Sequence, residues 1–367
     1  MRILILGGGF GGLAAAKELR RLLDKEHEII VIDKKYKFSV GFANLWLMTG
    51  LRSDIRYLDL RILNEKGIKF VRDEILSVDP KNRIVKTKDM SIDADYIVIA
   101  LGAYMNSLIE GFDKALNLYD SEDAIKIYHR LERLREGKIV ILIDSIPFKC
   151  PPAPYEAAFI LDEYLKKKNI RDKIEISLIT PEEKPVAVAG DNASKSILNM
   201  LNEHNIIYKP RSRALRIEDS KILFDSYEEN YNLLIGIPAH KAPPIIKSEN
   251  DWIVVDKSTL KTRYDNVYAI GDITNIKLSN GSSLPKAGTF AEHEGIVVAN
   301  NIAASIKDNS DGMRYDGYGY CYIDVGNGTA ALAEGYFYNN PIEVNIRAPT
   351  KKYRMDMEEF EEIRLRI

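Results

Sequence analysis

The sequence predicts an α/β fold, with two parallel-sheet units in tandem and a small C-terminal α+β region. Three observations support this. Residues 2–6, 28–33 (EIIVID) and 96–100 (YIVIA) are short aliphatic runs, the pattern of parallel strands covered on both faces. After position 121, residues 138–144 (KIVILID) and 173–180 repeat that design, alternating with stretches of helical period. Beyond position 309 the chain turns to aromatic-rich strands and a short charged helix.

Residues 13–23 place Leu13, Ala16, Leu19 and Leu23 on one helical face between the first two strands. Residues 68–79 and 83–88 read as an antiparallel pair turned at Pro80, Lys81 and Asn82. In the second unit, residues 123–135, 155–168 and 193–203 are helical, and strands extend to Leu233, Leu234, Ile235 and Gly236. From about Trp252 the first pattern resumes, with a strand running into Ala269, Ile270, Gly271 and Asp272 and a helix over residues 287–304.

A chain of 367 residues is long enough for two or three domains. Its 46% hydrophobic and 29% charged content is that of a globular protein, and a net charge of −2 gives no reason to expect nucleic acid. No apolar run approaches the roughly 18 residues needed to cross a bilayer. Met1 and Arg2 lead straight into the first strand, so no signal peptide and a cytoplasmic location are expected. Two cysteines are too few for a disulfide framework and, if they act together, are expected to be redox-active.

Gly7, Gly9 and Gly12 form a G-x-G-x-x-G motif, with Phe10 and Gly11 inside it, between a strand and a helix. One glycine makes the turn, one admits the pyrophosphate and one lets helix and strand pack closely. The helix N-terminus then offers free N–H groups to phosphate, and Asp33, followed by Lys34, closes the next strand where a ribose is expected. The pattern predicts two Rossmann-like (FAD/NAD(P)-binding) domains in tandem.

Thr262 and the Ala269-to-Asp272 stretch resemble the second FAD signature of the two-dinucleotide-binding-domain flavoproteins, in which the aspartate bonds the ribityl chain. Residues 96–102, ending Ala100-Leu101-Gly102, resemble the strand-to-glycine motif joining their two domains. That resemblance implies an FAD domain over residues 1–105 and 245–308, a second domain over 106–244 and a C-terminal cap over 309–367. In many relatives the second domain carries its own glycine loop for NAD(P)H. Here residues 145–154 contain no glycine and four prolines, which remove the N–H donors that would cradle pyrophosphate. A nicotinamide donor is therefore not expected.

Residues 147–156, from Pro147 through Lys149, Cys150 and Pro151 to Glu156, resemble the active-site loop of sulfide:quinone oxidoreductases and of the flavocytochrome c sulfide dehydrogenase flavoprotein. Cys321 falls where those families have a second cysteine, and Pro285-Lys286-Ala287-Gly288 resembles their turn facing the flavin. The resemblance implies that Cys150 and Cys321 form a disulfide or polysulfide bridge beside the flavin. Hydrosulfide attacks one sulfur and the other leaves as thiolate, reducing the flavin. Glu156 matches the family's acid/base, and Lys149 can lower a thiolate pKa. Which cysteine faces the flavin stays open, as does the reading of both as ordinary buried thiols. Several relatives tether FAD through a cysteine; with both cysteines assigned, FAD is expected to be non-covalent.

The family implies sulfide as donor and quinone, or an acceptor protein, as outlet, with Phe42, Trp46, Tyr336, Phe337 and Tyr338 as aromatic candidates for the acceptor pocket. Residues 353–367 are expected to form an amphipathic helix with Met357, Phe360 and Ile363 on one side, for peripheral contact with the inner face of the membrane or with a protein. Homo-oligomerisation is expected, and His129, His204, His240 and His293 show no metal spacing. The alternatives are an NADH dehydrogenase, a disulfide reductase or a non-catalytic flavin-binding protein.

Overall fold

A computed structural model describes residues 1–245, 252–308 and 312–366; the expected boundary at position 309 and the terminal Ile367 lie outside them. The first sheet is parallel, in the order Val267–Ala269, Tyr96–Ile99, Arg2–Leu6, Glu28–Asp33, Lys69–Arg72. Its central strand is aliphatic on both faces because both are covered: Ile3, Leu4, Ile5 and Leu6 are all fully buried. The edge strand Val267–Ala269 comes from far down the chain, so the first unit is completed only after the second has been built.

The second sheet is also parallel, in the order Leu116–Asn117, Leu233–Ile237, Gly137–Ile143, Ile174–Ile179, Ile207–Lys209. Helices Ser121–Arg133, Ala153–Lys167 and Asp191–Glu203 connect its strands. Helix Phe10–Leu22 of the first unit lies against helix Gly288–Ile306 at a spacing only glycine permits: a Cβ on Gly295 would meet the Gly11 carbonyl oxygen at 2.4 Å. Strands Tyr318–Gly326, Thr329–Tyr336 and Glu343–Thr350 form an antiparallel sheet, and helix Lys351–Arg364 packs on it.

Two expectations are corrected. Residues 68–79 do not form one strand: Lys69–Arg72 joins the parallel sheet, and only Ile75–Asp79 pairs antiparallel, with Ile84–Thr87. Asp73 makes the corner, its buried carboxylate accepting the N–H groups of Glu74 (2.7 Å) and Asp89 (3.3 Å). In the C-terminal helix Met357 and Phe360 are buried, but Ile363 is 56% exposed and Glu361 takes the inward place. At 100° per residue the face through 357 and 360 continues to 361 and 364, leaving 363 outside it.

Candidate active site

A cleft of about 1660 Å³, its open mouth included, runs from the first glycine loop to the two cysteines. At one end Gly7 (φ +107°) turns the chain, and Gly12 packs so closely beneath it that a Cβ there would lie 1.9 Å from the Gly7 carbonyl oxygen. The helix that follows begins at Phe10 with no side-chain cap at Gly9, so its first N–H groups face the cleft lined by Gly8, Gly9 and Gly11. Asp33 Oδ2 accepts the Gly8 N–H at 2.7 Å, which fixes the loop and places a carboxylate at the cleft wall. At the other end helix Gly288–Ile306 starts without a side-chain cap at Ala287, a second N-terminus in the same wall.

Cys150 and Cys321 both line this cleft, from a loop and a strand far apart in sequence. Cys150 adopts φ +51°, a left-handed conformation rare outside glycine and held by its surroundings. Its N–H donates to the Lys286 carbonyl at 2.6 Å and its carbonyl accepts from Ala153 at 2.9 Å, pinning the loop against the flank of the second helix N-terminus. The prolines that exclude a glycine loop deliver this cysteine to the start of helix Ala153–Lys167. Both residues are thiols in the structure. Burial, then the Glu156 carboxyl and Cys321, push the Cys150 thiol well above its ordinary range, with the Ala153 N–H and Lys149 opposing. Burial and Glu156 push Cys321 up to about 12, against a hydrogen bond from Thr289.

Glu156 stands one turn into the helix after Cys150, fully enclosed. Burial raises its carboxyl to about 8, although the Asp324 N–H donates to Oε1 at 2.9 Å. Lys149 lines the cleft beside Cys150, its ammonium 4.7 Å from the Tyr119 ring and its proton affinity lowered by burial. Asp272 also lines the cleft, its carboxyl raised by burial and drawn down by Lys286 and Lys149. Lys286 turns its ammonium onto the carbonyls of Asp272 (2.7 Å) and Thr274 (2.8 Å), over the Trp252 ring at 3.6 Å; burial lowers it to about 8.

Of the residues singled out from sequence, Phe42, Ala100, Gly102, Gly271, Ala287 and Gly288 line the cleft with those just described. Lys34 points outward to Glu74, 3.4 Å away, and the neighbouring Lys35 reaches the cleft instead. Leu101 packs into the apolar cluster behind the first sheet. The structure does not gather the proposed acceptor aromatics into one wall, although Phe42 and Trp46 pack edge-to-face with ring centroids 5.0 Å apart. Trp46 is fully buried outside the cleft, Tyr336 is 46% exposed against Tyr318, and Phe337 packs on Phe290 behind the strand bearing Cys321. Tyr338 bonds the Lys257 carbonyl at 2.7 Å, also outside the cleft. Sequence reasoning missed Tyr320, Tyr322 and Phe38, which line it, and placed Met357 and Phe360 on a membrane-facing side although they also line it. Thr262 holds a turn, donating to the Val267 carbonyl at 2.8 Å. His293 stacks on Tyr318, outside the cleft.

Two parallel sheets meeting at a glycine-loop cleft make the architecture of a dinucleotide-binding oxidoreductase. A family model described as pyridine nucleotide-disulphide oxidoreductase matches residues 1–295, and the chain belongs to that family. It is similar to a sulfide-quinone reductase of Aquifex aeolicus (strain VF5), 26% identical over 364 residues that cover 93% of this chain and 84% of the relative. It is 26% identical to a mitochondrial sulfide:quinone oxidoreductase of Dictyostelium discoideum, over 91% of this chain and 77% of that protein. The solved structure of the sulfide:quinone oxidoreductase from the hyperthermophilic bacterium Aquifex aeolicus superposes with a TM-score of 0.89 at 25% identity, covering 99% of this chain and 90% of that one.

FAD is the cofactor of this family. The cleft fits it, with two uncapped helix N-termini for anionic groups, Asp33 at the glycine-loop end and Asp272 near the cysteines. Among the described residues no helix is long and apolar enough to cross a membrane, and no group of three or more His, Cys, Asp or Glu is placed to hold a metal.

Proposed function

We propose that this protein oxidises sulfide to sulfane sulfur with quinone as acceptor, using non-covalent FAD and the pair Cys150 and Cys321. The observation that carries the reading is the convergence of both cysteines and Glu156 on the end of a cleft whose other end is a dinucleotide loop. The names of the relatives of similar length support it. Bound FAD supplies a two-electron carrier between donor and acceptor.

The protein's own part is sulfur and proton handling. In the oxidised pair a sulfur–sulfur bond joins Cys150 and Cys321. Hydrosulfide forms a new bond to one sulfur, the old bond breaks, and the other sulfur leaves as a thiolate holding the electron pair. Glu156, raised to about 8, takes the proton from the attacking sulfur. Lys149 places positive charge beside the anionic sulfurs. Both cysteines are occupied in this scheme and no third exists, which supports a non-covalent cofactor. On the acceptor side Phe42, Tyr320 and Phe360 line the cleft and offer a ring-binding wall. Contact with a membrane surface, whence a quinone would come, belongs to the same proposal.

The second sheet gives no support to a nicotinamide donor. Its first strand, Gly137–Ile143, leads into the proline loop, and Glu182, in the loop after strand Ile174–Ile179, is spent on the buried Tyr155 hydroxyl at 2.5 Å. Anaerobic titration of the FAD-loaded protein is the test. Stoichiometric loss of flavin absorbance with sulfide, and its return with a soluble quinone, are expected. Bleaching by NADH and not by sulfide would overturn the proposal.

A further inference from the structure

Behind Glu156 lies a largely buried charged cluster whose members do not line the cleft. The Asp324 carboxylate is 2% exposed. Its Oδ1 accepts the Gly326 N–H at 3.0 Å; its Oδ2 accepts Trp46 Nε1–H and Arg354 Nε–H, each at 3.0 Å. The Trp46 ring has the guanidinium of Arg354 at 4.2 Å and that of Arg52 also at 4.2 Å. Arg52 pairs with Glu361 at 2.6 Å, and Arg354 with Glu358 at 2.7 Å. Helix Ala43–Leu47, strand Tyr318–Gly326 and the C-terminal helix are thus tied together behind one carboxyl.

A buried ion pair adds little stability over apolar residues of the same shape, so its position calls for another reason. The Asp324 N–H that bonds Glu156 Oε1 belongs to the residue whose side chain this cluster grips. We propose that Asp324 and Arg354 are positioning residues that aim that N–H at Glu156 and, by their opposed charges, set the pH at which Glu156 accepts the sulfur proton. This rests on the role given to Glu156 above.

The signs follow from charge. The groups facing Glu156 are Cys150 from the loop, Cys321 and Asp324 from the strand, Tyr119 across the cleft and Arg354 from the C-terminal helix. Glu163, lower on the helix of Glu156, faces Asp324. Asp324 disfavours the ionised Glu156 and Arg354 favours it, the aspartate more strongly. Asp324→Asn removes the negative charge and keeps the backbone donor, so Glu156 ionises at lower pH.

The experiment measures the rate of flavin bleaching at saturating sulfide against pH in the FAD-loaded protein. Ionisation of sulfide itself is common to all variants, so differences between them report the protein. Asp324→Asn should displace the ascending limb downward by about one pH unit, the lower end of the scale for one nearby charge. Arg354→Lys, which retains the cation, should leave the limb in place. Should Asp324→Asn fail to retain FAD, Asp324→Asn combined with Arg354→Gln removes both members of the buried Asp324–Arg354 pair and should show a smaller downward displacement, because the lost arginine charge had favoured the ionised Glu156. A limb coincident with wild type in the variants carrying Asp324→Asn, while Glu156→Gln abolishes it, overturns the positioning role alone. A limb that survives Glu156→Gln overturns the role of Glu156 and this inference with it.

Discussion

The backbone N–H of Asp324 reaches Glu156 Oε1 at 2.9 Å, joining the strand that carries Cys321 to the helix that follows Cys150. Both redox positions are therefore referenced to one buried carboxyl, and a change at Glu156 is felt at both sulfurs.

Glu156→Gln is expected to lower the sulfide-driven rate by about 10²- to 10⁴-fold, the usual contribution of a positioned acid or base. The pH dependence of stability supplies a second reading. Between its ordinary value of 4.5 and about 8, the folded protein holds a proton on Glu156 that the unfolded chain has lost. Stability therefore falls as pH rises through that window, and above it the buried charge weighs fully. The variant lacks this penalty, so its Tm should exceed that of wild type most at pH 8 and above, and the gap should close toward pH 5. A gap independent of pH would contradict the assignment.

Cys150→Ser and Cys321→Ser should each abolish flavin bleaching by sulfide while leaving FAD bound, because the first glycine loop lies at the far end of the cleft. Stopped-flow absorbance read beside the FAD content of the same sample separates the two effects. Bleaching retained in either variant contradicts the paired mechanism.

The parallel sheets were legible because their strands are aliphatic on both faces, a signal that needs no tertiary context. Gly7, Gly12 and Asp33 were legible because a turn, a close approach and a hydrogen bond each demand one residue type at fixed spacing. The loop of Cys150 was read from what it lacks, glycine, and from its likeness to a family. The acceptor wall was not legible in this way. Aromatic residues serve cores and pockets alike, and the choice among Trp46, Phe337, Tyr320 and Phe360 depends on which face of a strand or helix turns inward. A slip of two residues, as from Ile363 to Glu361, reverses that choice. Gly295 was missed because its partner, Gly11, lies in a helix far off in sequence.

Cofactor retention should depend on the glycine loop in graded fashion. Gly12→Ala places a methyl group 1.9 Å from the Gly7 carbonyl oxygen, a clash with backbone that local adjustment does not relieve. Protein lacking FAD, or insoluble, is expected. Asp33→Asn keeps the shape but weakens the grip on the Gly8 N–H, a hydrogen bond to a charged group whose loss costs about 1.5–3 kcal/mol. Its FAD should therefore dissociate on dialysis under conditions where wild type stays yellow. In wild type, acid precipitation should release all flavin to the supernatant; flavin left in the pellet would show a covalent link.

Phe360 tests the acceptor side. Its ring lies among Phe10 (6.1 Å), Phe42 (6.1 Å) and Tyr320 (6.2 Å), and Arg364 covers one face at 3.4 Å. The ring thus forms part of a wall rather than a free surface, and the C-terminal helix supplies it. Phe360→Leu retains most of the apolar volume and removes the flat face, so the destabilisation should stay below about 1.5 kcal/mol. A planar quinone loses its stacking surface, whereas hydrosulfide reacting at the cysteines does not require one. Reoxidation of the reduced protein by a soluble quinone should therefore weaken through a higher apparent KM for quinone. Anaerobic reduction by sulfide, measured separately, should slow far less. Equal slowing of both half-reactions would mean that the ring supports the cleft as a whole, and the acceptor would have to be sought at another wall.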